Sequence, residues 1–130
     1  MKKSTLLNSE ISRLIADMGH GDCLVIADAG LPVPPGTTKV DVAVKPGVPR
    51  FVDVLDAILS ELQVERVAIA CEMKDKSPDL YERVKSIFDG RITEVSHEEF
   101  KAASKNARAI IRTGECKSYA NIALYSGVVF

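Results

Sequence analysis

The feature that most constrains this fold is a series of short apolar segments that alternate with helical patterns. Cys23–Ala27 and Val67–Cys71 are continuous apolar runs bounded by turn residues, which is typical of strands covered on both faces. Ala107–Ile111 is a third strand candidate. Strands that alternate with helices predict an α/β fold: a single domain over residues 1–130, with a largely parallel sheet covered by helices on both faces.

Periodicity and turn residues predict the remaining elements. Ala29–Gly36 holds three prolines and two glycines, which predicts an ordered loop rather than a helix or strand. Ser96 and Glu99 form the S-x-x-E pattern of a capping box. We further predict a first helix that has Ser9 as its N-cap, runs to Met18 and is closed by Gly19. Later helices are predicted over Arg50–Leu62, over Pro78–Phe88 and from the capping box to Ala103. The other predicted elements are a half-buried strand over Lys39–Val44, a strand over Arg91–Val95 and a last apolar segment over Ile122–Phe130.

Charge and cysteine content exclude several classes of partner. The net charge is −1 with 27% charged residues, which leaves no electrostatic footprint for nucleic acid or an anionic membrane and favours a small neutral ligand. No segment approaches the length of a membrane span, and the basic N-terminus is followed by only two apolar residues before polar ones. The three cysteines are odd in number and far apart, which predicts reduced thiols in a cytoplasmic protein.

The sequence lacks the motifs of several kinds of binding site and catalytic site. Neither G-x-G-x-x-G nor G-x-x-x-x-G-K-[ST] lies between a strand and a helix, and G-x-S-x-G is absent. The chain has two histidines and no C-x-x-C or H-x-x-x-H pair, so the spacing predicts no metal site. We therefore expect acid–base chemistry on a neutral polar ligand, with no metal and no cofactor.

His20 and Asp28 flank the first predicted strand. His20 lies between Gly19 and Gly21 in the turn before it, and Asp28 follows it at the end where α/β sheets bind ligands. His20 is the first candidate for a group that titrates near neutrality, although its imidazole could instead cap the preceding helix. Asp28 could equally bond the backbone of the proline-rich loop. A strand of this length spans roughly 17–20 Å, so either the chain folds back or a neighbouring subunit supplies one of the two side chains.

Three further polar residues are candidates for ligand contacts. His97 lies in the first turn of a predicted helix, where a solvated side chain is the ordinary alternative. Tyr119 and Asn121 flank Ala120, and in an extended chain their side chains would point to the same side. A phenol and an amide together suit a polyol, although a hydrogen bond within the protein would explain them equally well.

Short motifs, in order along the chain, resemble those of one enzyme family. Each motif alone is unspecific, but together they are specific and cover essentially the whole chain. They are Leu7–Ile11, Gly19–Asp22, Ala27–Pro32, His97–Lys101, and Arg112–Cys116 with Tyr119–Asn121. The chain thereby resembles the ribose pyranase and fucose mutarotase family. Ser118 stands where this resemblance leads us to expect proline.

The resemblance implies both a function and a site. It implies an isomerase that interconverts β-D-ribopyranose and β-D-ribofuranose, with D-ribose as its ligand and His20 as the catalytic proton donor. It also implies a cytoplasmic homodecamer of two pentameric rings, with sites completed across subunit contacts. The residues that it places against the sugar are Asp28, His97, Tyr119, Ala120 and Asn121.

Two other classes of protein fit the same residues. A non-catalytic sugar-binding accessory of transport would use Asp28, Tyr119 and Asn121, but would depend on His20 only for affinity. A structural ring protein would show no sugar-dependent chemistry. Exchange between the ring forms of D-ribose, measured by NMR, separates these classes from an isomerase.

Overall fold

A six-stranded sheet forms the centre of this computed structural model, which describes residues 1–130. None of the helices has the length and apolar composition needed to cross a bilayer. In chain order the elements are α1 (Ser9–Asp17), β1 (Cys23–Ala27), β2 (Lys39–Asp41), α2 (Phe51–Leu59), β3 (Val64–Ala70), α3 (Met73–Lys76), α4 (Pro78–Phe88), β4 (Ile92–Val95), α5 (His97–Ser104), β5 (Ala109–Arg112) and β6 (Ile122–Ser126).

The direction of the strands sets two distinct edges of the sheet. The strand order is β2-β5-β1-β6-β3-β4. β6 runs antiparallel to its neighbours β1 and β3, and all other pairs are parallel. Five strands therefore end at one edge, which we call the carboxyl edge, and begin at the opposite amino edge. The predicted α/β fold with a largely parallel sheet is confirmed.

Helices cover both faces of the sheet, as predicted, but unequally. In β1, Leu24 and Ile26 belong to a cluster of 23 buried residues to which α1, α2 and α4 contribute. Val25 and Ala27 belong to a cluster of seven, in which Phe100 of α5 is the one helical residue. Because alternate strand residues point to opposite faces, the apolar run of β1 must be covered from both sides. The second face is the more thinly covered one.

The ends of α1 differ from the prediction. Asn8 rather than Ser9 is the N-cap, because its side-chain oxygen accepts the backbone N–H of Ile11 at 2.9 Å. At the other end, the extended backbone of Met18 terminates the helix, so Gly19 is not the closing residue. The turn that carries the first histidine therefore starts beyond a helix that has already ended.

Other predicted boundaries are too long. β2 stops at Asp41 rather than Val44, because the Asp41 carboxylate accepts the Ala43 N–H at 3.1 Å and turns the chain. α2 ends at Leu59, and Leu62 is buried beyond its end.

The remaining elements divide between confirmed and corrected predictions. β1 and α4 have the predicted bounds, and the capping box of α5 is present. β3 begins at Val64 rather than Val67, β5 spans Ala109–Arg112, and the short helix α3 was not predicted. β6 occupies only Ile122–Ser126 of the last apolar segment, because the residues after it leave the sheet.

Candidate functional site

A polar cavity of about 270 Å³ opens at the carboxyl edge of the sheet. Asp28 follows β1, His97 begins α5 and Tyr119 precedes β6, so three separate elements bring predicted site residues to this cavity. This edge is where open α/β sheets bind ligands. The other lining residues are Gly30, Leu31, Pro32 and Ser118.

Asp28 is held by a two-point contact with Asn121. The Asp28 backbone N–H donates to Oδ1 of Asn121 at 2.9 Å, and Nδ2 of Asn121 donates to Oδ2 of Asp28 at 3.1 Å. The other carboxylate oxygen accepts the Gly30 N–H at 2.9 Å, which is the loop bond that the sequence also allowed. A carboxylate oxygen can accept two hydrogen bonds, so each oxygen of Asp28 keeps one free acceptor position. Asp28 can therefore receive two ligand hydroxyls while the protein holds it in place.

The backbone between Tyr119 and Asn121 is a tight turn and not an extended chain. Tyr119 has a φ of 59°, and the Asn121 N–H donates to the Tyr119 carbonyl at 2.9 Å. The extended chain on which the same-side prediction for the two side chains depends is therefore not formed. Tyr119 lines the cavity, whereas Ala120 and Asn121 are fully buried behind it. The hydroxyl of the buried Ser77 donates to the carbonyl of Ser118, the residue before this turn, at 2.6 Å and stabilises the turn.

A buried glutamate that the sequence analysis did not identify fixes the loop before this turn. One carboxylate oxygen of Glu115 accepts the N–H groups of Cys116 and Lys117 at 3.1 and 3.0 Å. The other oxygen accepts the N–H of Phe51, the first residue of α2, at 3.2 Å. The Glu115 carbonyl accepts the Ala29 N–H at 2.8 Å. Glu115 thus joins the loop to α2 through its side chain, and to the chain that follows β1 through its backbone carbonyl.

His97 faces the cavity and is half-buried rather than solvated. Its ring meets Tyr119 edge-on, with ring centroids 5.0 Å apart and an interplanar angle of 86°. The backbone N–H of His97 donates to both oxygens of the Glu72 carboxylate, at 3.2 and 3.1 Å. The pKa of the Glu72 carboxyl lies below its ordinary value, because its own backbone N–H and then that of His97 bond to the carboxylate. Nδ1 of His97 is buried and has no hydrogen-bond partner within the chain.

The structure does not bring His20 to this cavity. His20 precedes β1 at the amino edge, whereas Asp28 follows β1 at the carboxyl edge. A five-residue strand covers roughly 17 Å, so His20 and Asp28 of one subunit cannot hold the same monosaccharide. Nε2 of His20 instead contacts Oε2 of Glu65 at 2.8 Å, and the imidazole does not bond the last carbonyls of α1. The helix-cap alternative for His20 is therefore wrong.

The turn that carries His20 has a fixed backbone. The Asp22 carboxylate accepts the Gly19 N–H at 2.9 Å and two bonds from Arg108 at 3.0 and 2.8 Å. Arg108, and then the Gly19 N–H, hold the pKa of the Asp22 carboxyl below its ordinary value. Gly21 adopts a φ of 82°, which an L side chain would strain. The His20 side chain is 60% exposed on this turn and is therefore open to a partner molecule.

The groups at the carboxyl edge suit a small neutral polyol. A carboxylate with two free acceptor positions, a phenol and an imidazole nitrogen can orient several hydroxyls at once. No group of three or more His, Cys, Asp or Glu side chains is arranged to hold a metal ion. Fold and cavity together define a small α/β protein with a site for a ligand of the sugar class.

Comparison with known proteins narrows this class to one family. The model of the RbsD / FucU transport protein family matches residues 1–129, and the chain belongs to this family. The family resemblance of the sequence motifs is therefore confirmed.

Relatives and solved structures match over the full length of the chain. A D-ribose pyranase of Thermoanaerobacter sp. is 56% identical over 130 residues, and one of Pseudomonas putida is 57% identical over 133 residues; both alignments cover 100% of each chain. The structure of Bacillus subtilis RbsD complexed with D-ribose has a TM-score of 0.96 at 46% identity and also covers 100% of both chains. The fucose mutarotase of Streptococcus pneumoniae in complex with L-fucose has a TM-score of 0.78 at 28% identity, again over 100% of both chains.

Proposed function

We propose that this chain is a sugar isomerase that interconverts β-D-ribopyranose and β-D-ribofuranose. The observation that carries the proposal is its similarity, over the full length, to D-ribose pyranases and to RbsD complexed with D-ribose. The cavity at the carboxyl edge supports it, because its carboxylate, phenol and imidazole match the hydroxyls of a neutral pentose.

Ring opening breaks one bond and moves two protons. The bond between C1 and the ring oxygen breaks, the ring oxygen takes a proton from a donor, and the anomeric hydroxyl gives its proton to water as the C1 carbonyl forms. The open aldehyde rotates, and a different hydroxyl closes on C1 with the proton movements reversed. This chemistry needs no electron transfer, phosphate or metal. Positioned proton transfer accelerates such steps by roughly 10²–10⁴-fold.

The roles of the individual residues follow from their chemistry. We assign the proton donor to His20, because the family resemblance places the donor there and an imidazole can both donate and accept a proton. Asp28, His97 and Tyr119 line the cavity and hold the sugar hydroxyls. Asn121 supports Asp28 through their two hydrogen bonds, and the fully buried Ala120 packs between Tyr119, which faces the sugar, and Asn121.

This assignment requires a second subunit. We infer a homo-oligomer, a decamer of two pentameric rings, in which His20 of one subunit reaches the carboxyl edge of the next. The separation of His20 and Asp28 along β1 supports shared sites. The apolar C-terminus supports association, because Val129 and Phe130 are 84% and 101% exposed. The three free cysteines favour a cytoplasmic location.

The test is His20→Ala. We expect this variant to abolish exchange between pyranose and furanose while it keeps the oligomer and most of the affinity for D-ribose. Exchange is measured by NMR saturation transfer at matched sugar saturation, affinity by calorimetry, and oligomeric state by light scattering.

His97→Ala is the matched variant, because the chain has only these two histidines. We expect it to weaken ribose binding while exchange persists at saturating sugar. Full exchange in His20→Ala with loss in His97→Ala would reverse the two roles. Ribose binding without any exchange in the wild type would favour a non-catalytic sugar-binding accessory.

A further inference from the structure

Glu65 occupies a β-bulge beside His20. Across β3 and β6, Val64 pairs with Ser126 and Arg66 pairs with Tyr125, so two steps along β3 correspond to a single step along β6. Glu65 is therefore the extra residue on β3. Bulges change the direction of a side chain, and they recur next to active sites.

The bulge directs the Glu65 carboxylate to the imidazole of His20. The distance between Oε2 of Glu65 and Nε2 of His20 is 2.8 Å, and this is the one hydrogen bond that the ring makes within the chain. Glu65 can occupy this position because Gly127 has no side chain. A Cβ on Gly127 would lie only 3.1 Å from the Glu65 Cβ. A larger residue at position 127 would displace the carboxylate.

Both partners of this contact are tied to the same end of β6. The Gly21 N–H, next to His20, donates to the Ser126 carbonyl at 2.8 Å. The Gly127 N–H donates to the carbonyl of Gln63, two residues before Glu65, at 2.9 Å. The backbones that carry the imidazole and the carboxylate are thus fixed relative to each other.

We propose that Glu65 is a positioning residue for the proton donor, a role that rests on the proposed function. A carboxylate accepts hydrogen bonds and does not donate them, so its contact with His20 requires the hydrogen on Nε2. The lone pair of the neutral imidazole then lies on Nδ1. Nδ1 is consequently the atom of His20 that exchanges a proton with the sugar.

The proton balance of the reaction fits this assignment. As the bond between C1 and the ring oxygen breaks, Nδ1–H of the imidazolium gives its proton to the ring oxygen, and water takes the proton of the anomeric hydroxyl. On reclosure, Nδ1 takes the proton of the attacking hydroxyl, and water returns one to the carbonyl oxygen. The hydrogen bond from Nε2–H to Glu65 persists throughout, and Glu65 neither gains nor loses a proton.

The first measurement is the tautomer of His20. ¹⁵N NMR of the full-length protein, labelled at histidine, distinguishes the two tautomers of a neutral imidazole. The chain has two histidines, so the His97→Gln variant assigns the His20 signals. We expect Nε2–H in the wild type, a mixture of both tautomers in Glu65→Ala, and retention of Nε2–H in Glu65→Gln, since the amide oxygen still accepts a hydrogen bond.

The second measurement is ribose exchange by the same variants. We expect Glu65→Ala to lower kcat about tenfold, a part of the roughly 10²–10⁴-fold that positioned proton transfer contributes. KM for ribose should stay unchanged, and Glu65→Gln should recover part of the rate. Glu82→Ala, an exposed glutamate of α4, is the control and should match the wild type.

The outcomes separate this proposal from the proposed function. Nδ1–H on the wild-type His20, or an unaltered tautomer and kcat in Glu65→Ala, would overturn the role of Glu65. A wild type that does not exchange the ring forms of ribose would overturn the proposed function, and with it the catalytic role of Glu65, even where the tautomer is Nε2–H.

Discussion

The most consequential pair of residues at the carboxyl edge is Asp28 and Asn121. The Asn121 side chain forms two hydrogen bonds with Asp28. Its oxygen accepts the Asp28 backbone N–H, and its nitrogen donates to the Asp28 carboxylate. The amide thus sets the direction in which the free acceptor positions of Asp28 point. Because Asn121 itself is fully buried, its role in the proposed sugar site is to orient the Asp28 carboxylate.

We predict that Asn121→Ala weakens both ribose binding and the fold. The Asp28 N–H and carboxylate would lose their partners, and an unsatisfied buried polar group costs about 1–3 kcal/mol. Urea unfolding should show a loss of this size, and calorimetry should show a weaker affinity for D-ribose. Asn106→Ala, at an exposed position, is the control for the loss of an amide. Full stability with normal affinity in Asn121→Ala would contradict the supporting role.

At the scale of elements, local patterns predicted those parts of the fold whose determinants are local. β1 and α4 have the predicted bounds, because each segment contains its own signal. β1 is a short apolar run, and α4 begins with a proline that is followed by helical periodicity. β2 ends early because a single side chain, that of Asp41, turns the chain. β3 begins early because it pairs with β6, whose residue Ser126 lies opposite Val64. No local pattern reports a pairing partner so far along the chain.

The same distinction explains which site residues could be predicted. Asp28 is predicted from its place after a buried strand, and His97 from the family resemblance; both side chains line the cavity. Glu65 and Glu115 were missed, since an isolated glutamate in a sequence is ordinarily a solvated residue. Their roles depend on a bulge and on a long-range bond to Phe51, which only the folded chain reveals.

Glu115 provides a prediction for the loop as a whole. Glu115→Gln keeps the shape of the side chain but replaces one accepting oxygen by an amide that donates. At least one of the N–H groups of Phe51, Cys116 and Lys117 then lacks its acceptor, which costs about 1–3 kcal/mol. Urea unfolding measures the loss, with Glu82→Gln on the surface as control. A variant as stable as the wild type would show that the loop is held by its other bonds.

At the scale of the whole molecule, the topology separates the proposed proton donor, His20, from the cavity proposed to bind the sugar. β1 places the turn of His20 at the amino edge and Asp28 at the carboxyl edge, and no loop folds one edge onto the other. The Glu65 contact belongs to the amino edge, as does the exposed end of the chain at Phe130. The proposed site is therefore complete only if the amino edge of one subunit meets the carboxyl edge of another.

This arrangement predicts complementation between His20→Ala, which lacks the proton donor, and Asp28→Asn, whose weakened cavity binds little ribose when the sugar is kept well below saturation. In His20→Ala every subunit keeps its sugar cavity, and in Asp28→Asn every subunit keeps its proton donor. When equal amounts are unfolded and refolded together, about one quarter of the sites should combine an intact Asp28 from one subunit with an intact His20 from its neighbour, since subunits of a closed symmetric oligomer mix at random. NMR saturation transfer should then recover about one quarter of the wild-type exchange rate, whereas variants refolded separately and mixed without unfolding should recover none. Light scattering verifies that the mixed oligomer forms. If the mixed oligomer assembles and stays inactive, His20 and Asp28 act within one subunit, and the shared-site arrangement is wrong.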